Sequence, residues 1–162
     1  EDHLERIVIL PTDVRDTMIL PGKLLALSHT LVEDYDAPDV LGGYILSGTL
    51  QAQMSDPLAP LLRVAGTIGT LKLLTTGDLD RSILRQHAEE LLHSTNHFPP
   101  SQKLVEAFST LKVATSPYAY ARDYTGETTL ALIEADPFRG QSVASKLSDG
   151  DWVSLQSICE TS

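Results

Sequence analysis

The residues with the clearest potential for chemistry are Glu89, His93 and His97, each four positions from the next. One continuous helix would place these three side chains on the same face. Imidazole nitrogens and carboxylate oxygens are ligands that zinc takes in proteins, so a metal site at these residues is one hypothesis. A solvated polar helix face is the favoured interpretation, because two prolines follow and the His-Glu-x-x-His arrangement of metalloproteases is missing.

Other residues of reactive type lack the neighbours that their chemistry requires. Asp34, Asp36 and Asp39 offer oxygen ligands for calcium, but the glycine and the distal glutamate of a standard calcium loop are missing. The glycines of residues 66–69 are not followed by the Gly-Lys-Ser/Thr of a phosphate-binding loop. Cys159 has no histidine motif nearby, and no serine lies in a Gly-x-Ser-x-Gly sequence. The sequence therefore favours a protein without catalytic activity and without a cofactor.

Charge limits the classes of partner that the chain can bind. The sequence holds 22 acidic and 12 basic residues, a net charge of −10, and the basic residues are spread from Arg6 to Lys146 without a cluster. Nucleic acid is therefore a disfavoured partner, because its phosphates require concentrated positive charge. A single cysteine excludes a disulfide within the chain, so we expect the cytoplasm or another reducing intracellular compartment.

Length and composition indicate one soluble domain. With 162 residues, of which 42% are hydrophobic, the chain can bury a core of its own, and no linker divides residues 1–162. The first residue is Glu1 rather than Met, so we expect a processed product or a fragment of a longer chain. The apolar residues 58–74 are interrupted by Arg63 and Lys72, which predicts a buried core helix and no membrane span.

Hydrophobic residues at helical spacing occupy the chain between Pro21 and Val113, and residues 141–147 could add a short helix. Within this region, Gly42, Gly43 and Gly48 lower the intrinsic helix propensity by up to about 1 kcal/mol each. Small residues on a helix allow another backbone to come close. We therefore expect a tightly packed neighbour beside this helix.

Alternation suggests strands near both ends of the chain. Residues 6–10 are mainly apolar and include three β-branched side chains, which is typical of a short buried strand. Tyr118, Tyr120, Arg122 and Tyr124 alternate with small or polar residues, and further alternation follows a turn near Gly126, which predicts a β-hairpin over residues 118–134. Because tyrosine and arginine are enriched at protein interfaces, the hairpin face is a candidate interface, and packing of that face on the helices is the equal alternative.

Together these patterns predict an α+β fold, with a bundle of five or six helices and a small antiparallel sheet that includes the C-terminal-half hairpin. The leading functional hypothesis is a non-enzymatic protein-interaction or self-assembly module, whose partner is another protein or a second copy of the chain. The alternative is an enzyme or a small-molecule or metal-binding domain with its site near Glu89, His93 and His97.

Overall fold

The structure, a computed structural model, describes residues 4, 6–10, 17–94, 98–139 and 148–157. In these ranges three strands precede eight helices, which confirms the helix-rich α+β class. The helices outnumber the predicted five or six partly because α1 and α7 are single turns of 4 and 5 residues, too short for periodicity to reveal. The predicted helix at residues 141–147 and Cys159 lie outside the described ranges.

The elements are β1 (Arg6–Leu10), β2 (Thr17–Leu20), β3 (Leu24–Ser28), α1 (Thr30–Glu33), α2 (Pro38–Met54), α3 (Leu58–Thr76), α4 (Arg81–His93), α5 (Ser101–Leu111), α6 (Thr115–Arg122), α7 (Leu130–Glu134) and α8 (Asp149–Gln156).

The three strands form one sheet in the order β1-β3-β2. β2 and β3 are antiparallel neighbours, and the turn between them has positive φ at Gly22 and Lys23, 84° and 56°. β1 pairs with β3 in parallel, from Arg6 beside Leu24 onward. The sheet is therefore mixed rather than antiparallel. β1 and β3 run in the same direction, and β2 runs in the opposite one.

The predicted hairpin over residues 118–134 is wrong, because this segment forms α6, a loop and α7. Thr115, Tyr118 and Ala119 are all fully buried, and their spacing is that of one helix face. The ring of Tyr118 packs in the core, with its centroid 5.1 Å from that of Tyr44 and 5.5 Å from that of Phe108. Core packing of this helical face outweighs the short alternation that suggests a strand.

The core forms where α2 crosses the sheet and α6. A Cβ atom at Gly43 would lie 2.5 Å from Cβ of Tyr118, and one at Gly48 would lie 2.7 Å from Cδ1 of Leu25. Gly43 and Gly48 therefore face a close neighbour, as expected, but the contacts are with its side chains, and no atom lies within 4 Å of a Cβ on Gly42. At the other end of the chain, Ser148 caps α8 by accepting a hydrogen bond from the Asp151 amide at 3.2 Å. This helix adds Trp152 to the core.

α3 is not the core helix that its composition predicts. Only Leu61 and Gly69 of its residues are buried. Gly66, with φ 64° and ψ −171°, interrupts the helix with a conformation open almost only to glycine. The prediction failed because burial requires neighbours, and α3 packs mainly against a single helix, α4. By length and composition alone, α3 is the one described helix that could also cross a membrane, a test that core helices of soluble proteins pass as well.

Candidate functional site

An apolar stripe on the second half of α3 faces solvent. Ile68, Leu71 and Leu74 are 85%, 63% and 78% exposed, and they follow one another at intervals of three residues. We call these three residues the α3 stripe. Scattered single apolar residues on a surface are ordinary, whereas a row of aliphatic side chains on one helix face is a candidate contact surface.

Contacts with α4 fix the orientation of the stripe. On the opposite side of α3, Gly69 is buried, and a Cβ atom there would lie 3.1 Å from Cδ1 of Ile83 on α4. Lys72 donates a hydrogen bond to Asp80, whose carboxylate raises the pKa of Lys72. Gly77 ends α3 in the left-handed conformation, with its amide bonded to the carbonyl of Leu73 at 2.8 Å. Because α4 holds one side of α3, the stripe points away from it.

The α3–α4 helix pair is electrically balanced within a strongly acidic chain. Residues 58–93 carry four basic and four acidic side chains, so the rest of the chain carries the whole net charge of −10. On α3 itself the only charged residues are Arg63 and Lys72. The α3 stripe therefore lies in a part of the protein where a second acidic molecule meets less repulsion than the net charge of the chain implies.

A pocket of about 400 Å³ lies between β2, the end of α2, the start of α3 and α4. Its apolar walls include Met18, Ile19 and Leu91. Polar side chains of Asp56, Arg63, His87 and Glu90 complete the lining, along with smaller polar residues. The lining residues span 17 to 94, so folding brings together groups that are far apart in the sequence.

Two of the residues that line this pocket, Thr17 and His87, are polar and buried, and only His87 is titratable. His87 is 6% exposed, and neither ring nitrogen has a hydrogen-bond partner among the described residues. Burial lowers the pKa of His87 from its usual 6.5; the charge of Arg63 also lowers it and that of Glu90 opposes the change. At neutral pH the imidazole is therefore uncharged, with one nitrogen that donates and one that accepts.

The charged groups of the pocket are mainly acidic. Arg63 and Glu90 form an ion pair at 3.6 Å, with 76% and 44% of their side chains exposed. Asp56 accepts a hydrogen bond from the Leu58 amide at 2.9 Å through one carboxylate oxygen. With His87 neutral, two carboxylates and one guanidinium give the lining a net charge of −1.

The predicted metal ligands occupy another part of α4. Glu89 and His93 are exposed and do not line the pocket, and Nδ1 of His93 lies 2.7 Å from the backbone carbonyl oxygen of Glu89. His97 lies outside the described residues. Within the described ranges, no three His, Cys, Asp or Glu side chains are grouped so that they could hold a metal ion. The three-residue site stays a prediction.

The candidate tyrosine interface is divided by the helical conformation. Tyr118 is fully buried, so it does not share an exposed face with Tyr120 and Tyr124, which are 49% and 93% exposed. The guanidinium carbon of Arg122 lies 3.7 Å from the centre of the Phe98 ring, a cation–π contact. An interface at Tyr120, Arg122 and Tyr124 stays a prediction.

The sequence did contain one signal for the pocket. Ile83, His87 and Leu91 are spaced four residues apart, which places a histidine in the middle of an apolar helical stripe.

Comparison of the chain with family models, with curated proteins and with solved structures gave no match. A functional assignment therefore depends on the chemistry of the α3 stripe and of the pocket.

Proposed function

We propose that this protein is a non-enzymatic self-assembly module in which the α3 stripe packs against a second copy of the chain. The observation that carries the proposal is the exposure of Ile68, Leu71 and Leu74 on one helix face. Full burial of a leucine or isoleucine side chain contributes about 1.5–3 kcal/mol. In a twofold-symmetric dimer each stripe residue contributes twice, because both copies use the same surface.

The exposed fractions set the strength of such a dimer. Burial of both stripes contributes at most about 7–14 kcal/mol on the same scale. The loss of translational and rotational freedom on association costs about 4–15 kcal/mol. These two quantities nearly cancel, so we expect a dimer that dissociates on dilution rather than an obligate one.

The charge distribution supports a second copy as the occupant of the stripe. Two chains of net charge −10 repel each other over most of their surfaces. The balanced charge of residues 58–93 lowers the electrostatic cost when two copies approach through their α3–α4 pairs. Added salt screens the remaining repulsion, so dimerisation should strengthen or stay unchanged as ionic strength rises.

A lipid surface fits the stripe less well. Helices that lie on membranes usually combine a face rich in lysine and arginine with aromatic residues, whereas α3 has two basic residues and no aromatic one. A spanning orientation would place Arg63 and Lys72 inside the hydrocarbon and separate Lys72 from Asp80. Both contributions oppose transfer of α3 into a bilayer.

Sedimentation equilibrium over a range of protein concentrations tests the proposal. The Leu71→Glu variant places a charge in the stripe and should weaken the dimer by at least about tenfold. Val153→Glu on α8 is the matched control, because Val153 is 62% exposed on another helix. The control should dimerise like the unsubstituted protein.

Three outcomes would contradict the proposal. The protein could stay monomeric at every concentration, Leu71→Glu could dimerise as well as Val153→Glu, or the protein could float with phosphatidylcholine vesicles and lose this binding on Leu71→Glu. A Tyr120→Ala variant tests whether dimerisation uses the other candidate surface instead of the α3 stripe. If Tyr120→Ala abolishes dimerisation and Leu71→Glu does not, the interface lies at Tyr120, Arg122 and Tyr124 instead.

A further inference from the structure

The pocket at His87 has properties that self-assembly does not require. Its volume of about 400 Å³ lies within the range of small-molecule sites, about 300–1,000 Å³. Apolar walls with a few polar groups are also typical of such sites. Buried polar side chains are usually hydrogen-bonded, and His87 has no partner for either ring nitrogen among the described residues. A bound hydrogen-bond donor would supply a partner for the unprotonated nitrogen.

The charges of the lining select the class of molecule. Arg63 is the one basic residue of the described lining that is charged at neutral pH, and Glu90 already pairs with it. An anionic ligand would compete with Glu90 for this guanidinium and would face the carboxylates of Asp56 and Glu90. A cationic ligand is repelled by Arg63, but it is attracted by both carboxylates and by the field of a chain with a net charge of −10, so the net electrostatic effect favours it.

We propose that this pocket binds a small organic ammonium ion with an apolar body. An ammonium group has three N–H donors. Glu90, Asp56 and the unprotonated nitrogen of His87 all line the pocket, and they are the hydrogen-bond acceptors that the ammonium group would use. The apolar body of the ligand packs against Met18 and Ile19 of β2, and against the other aliphatic side chain of the wall, Leu91 of α4.

Three probes of matched size test the charge requirement. These are 2-phenylethylammonium, 2-phenylethanol and 3-phenylpropanoate, which are cationic, neutral and anionic. Titration is followed by calorimetry and by the imidazole NMR signals, which the His87→Leu variant assigns to His87. We expect saturable binding of the ammonium ion, weaker binding of the alcohol, and at least about tenfold weaker binding of the carboxylate. Added salt should weaken binding of the ammonium ion.

On α4, a second glutamate and a second histidine lie outside the pocket and provide matched controls. Glu90→Gln should weaken ammonium binding by about two- to fivefold, as expected for a partly exposed ion pair, whereas Glu89→Gln outside the pocket should leave it unchanged. His87→Leu should abolish binding, and His93→Leu should not. Because the Glu90 side chain is 44% exposed, its variant also keeps the test decisive if His87→Leu fails to fold.

Two results would overturn the proposal. One is binding of 3-phenylpropanoate as tight as that of 2-phenylethylammonium. The other is an equal affinity of the Glu90→Gln and Glu89→Gln variants for the ammonium probe. Absence of saturable binding of the ammonium probe to the unsubstituted protein counts as the same result.

Discussion

Replacement of Gly43 by alanine should destabilise the fold, because the new methyl group would enter the contact between α2 and α6. The added Cβ would lie 2.5 Å from Cβ and 2.8 Å from Cγ of Tyr118. Favourable carbon–carbon separations are about 3.5–4.0 Å, so the two helices would have to move apart. Overpacking of this kind costs about 1–3 kcal/mol. The gain in helix propensity from glycine to alanine is at most about 1 kcal/mol, so the net effect should be destabilising.

Two other glycines of α2 serve as controls for this change. No atom lies within 4 Å of a Cβ built on Gly42, so Gly42→Ala should raise the unfolding free energy by about 0.5–1 kcal/mol. Gly48→Ala should fall between the two, because its nearest contact, Cδ1 of Leu25 at 2.7 Å, is the end of a side chain that can change rotamer. We therefore expect the unfolding free energy to decrease in the order Gly42→Ala, Gly48→Ala, Gly43→Ala.

Urea denaturation followed by circular dichroism measures these differences, and thermal unfolding gives a second measure. For a chain of this length, 1 kcal/mol corresponds to a change of about 2–4 °C in Tm. If Gly43→Ala is as stable as Gly42→Ala, α2 and α6 are not as close as the structure places them. The buried position of Tyr118 would then be wrong as well.

Two further predictions concern titratable groups. Asp123 accepts hydrogen bonds from the amides and hydroxyls of Thr125 and Thr128, which lower its pKa well below the usual 3.8. Asp123→Asn should therefore destabilise the protein at neutral pH in urea titrations, and the difference should shrink below about pH 4, as the wild-type carboxylate loses its advantage. Burial lowers the pKa of His87 below its unfolded value of 6.5, so the unfolded state binds the extra proton. Stability should therefore fall as the pH drops from 6.5 to the folded-state pKa of His87, by at most about 1.4 kcal/mol per pH unit, and level off below it. Apart from Asp56, Glu90 and Arg63, the described pocket lining has no other titratable group, and His87→Leu should reduce this slope while His93→Leu retains it.

The helix predicted after Pro21 was wrong for residues 24–28, which form β3. From Pro38 onward the helices were predictable, because their period reflects burial along one element. The burial of α3 was not, since its apolar residues cover more than half of its surface and only a neighbour decides which of them are enclosed. Leu61 and Gly69 meet neighbours, whereas Ile68, Leu71 and Leu74 do not. Periodicity identifies a helix but does not count the elements that pack against it.

Alternation misled at α6 for a related reason. Tyr118 and Tyr120 are two residues apart, which fits one face of a strand, but Thr115, Tyr118 and Ala119 fit one face of a helix equally well. Only the large buried area of Tyr118 between α2 and α5 separates the two interpretations. Such a contact, between residues more than 60 positions apart in the case of Tyr44, leaves no trace in local spacing.

The interruption of α3 at Gly66 separates the two proposed activities. Pro60 and Arg63, before the interruption, line the pocket, whereas the α3 stripe lies after it. A charge introduced at Leu71 therefore leaves the groups that would hold an ammonium ion in place, and loss of the Glu90 charge leaves the stripe intact. If Leu71→Glu weakens ammonium binding as much as it weakens the dimer, the two sites are coupled through α3, and the pocket is completed by the second copy rather than by one chain.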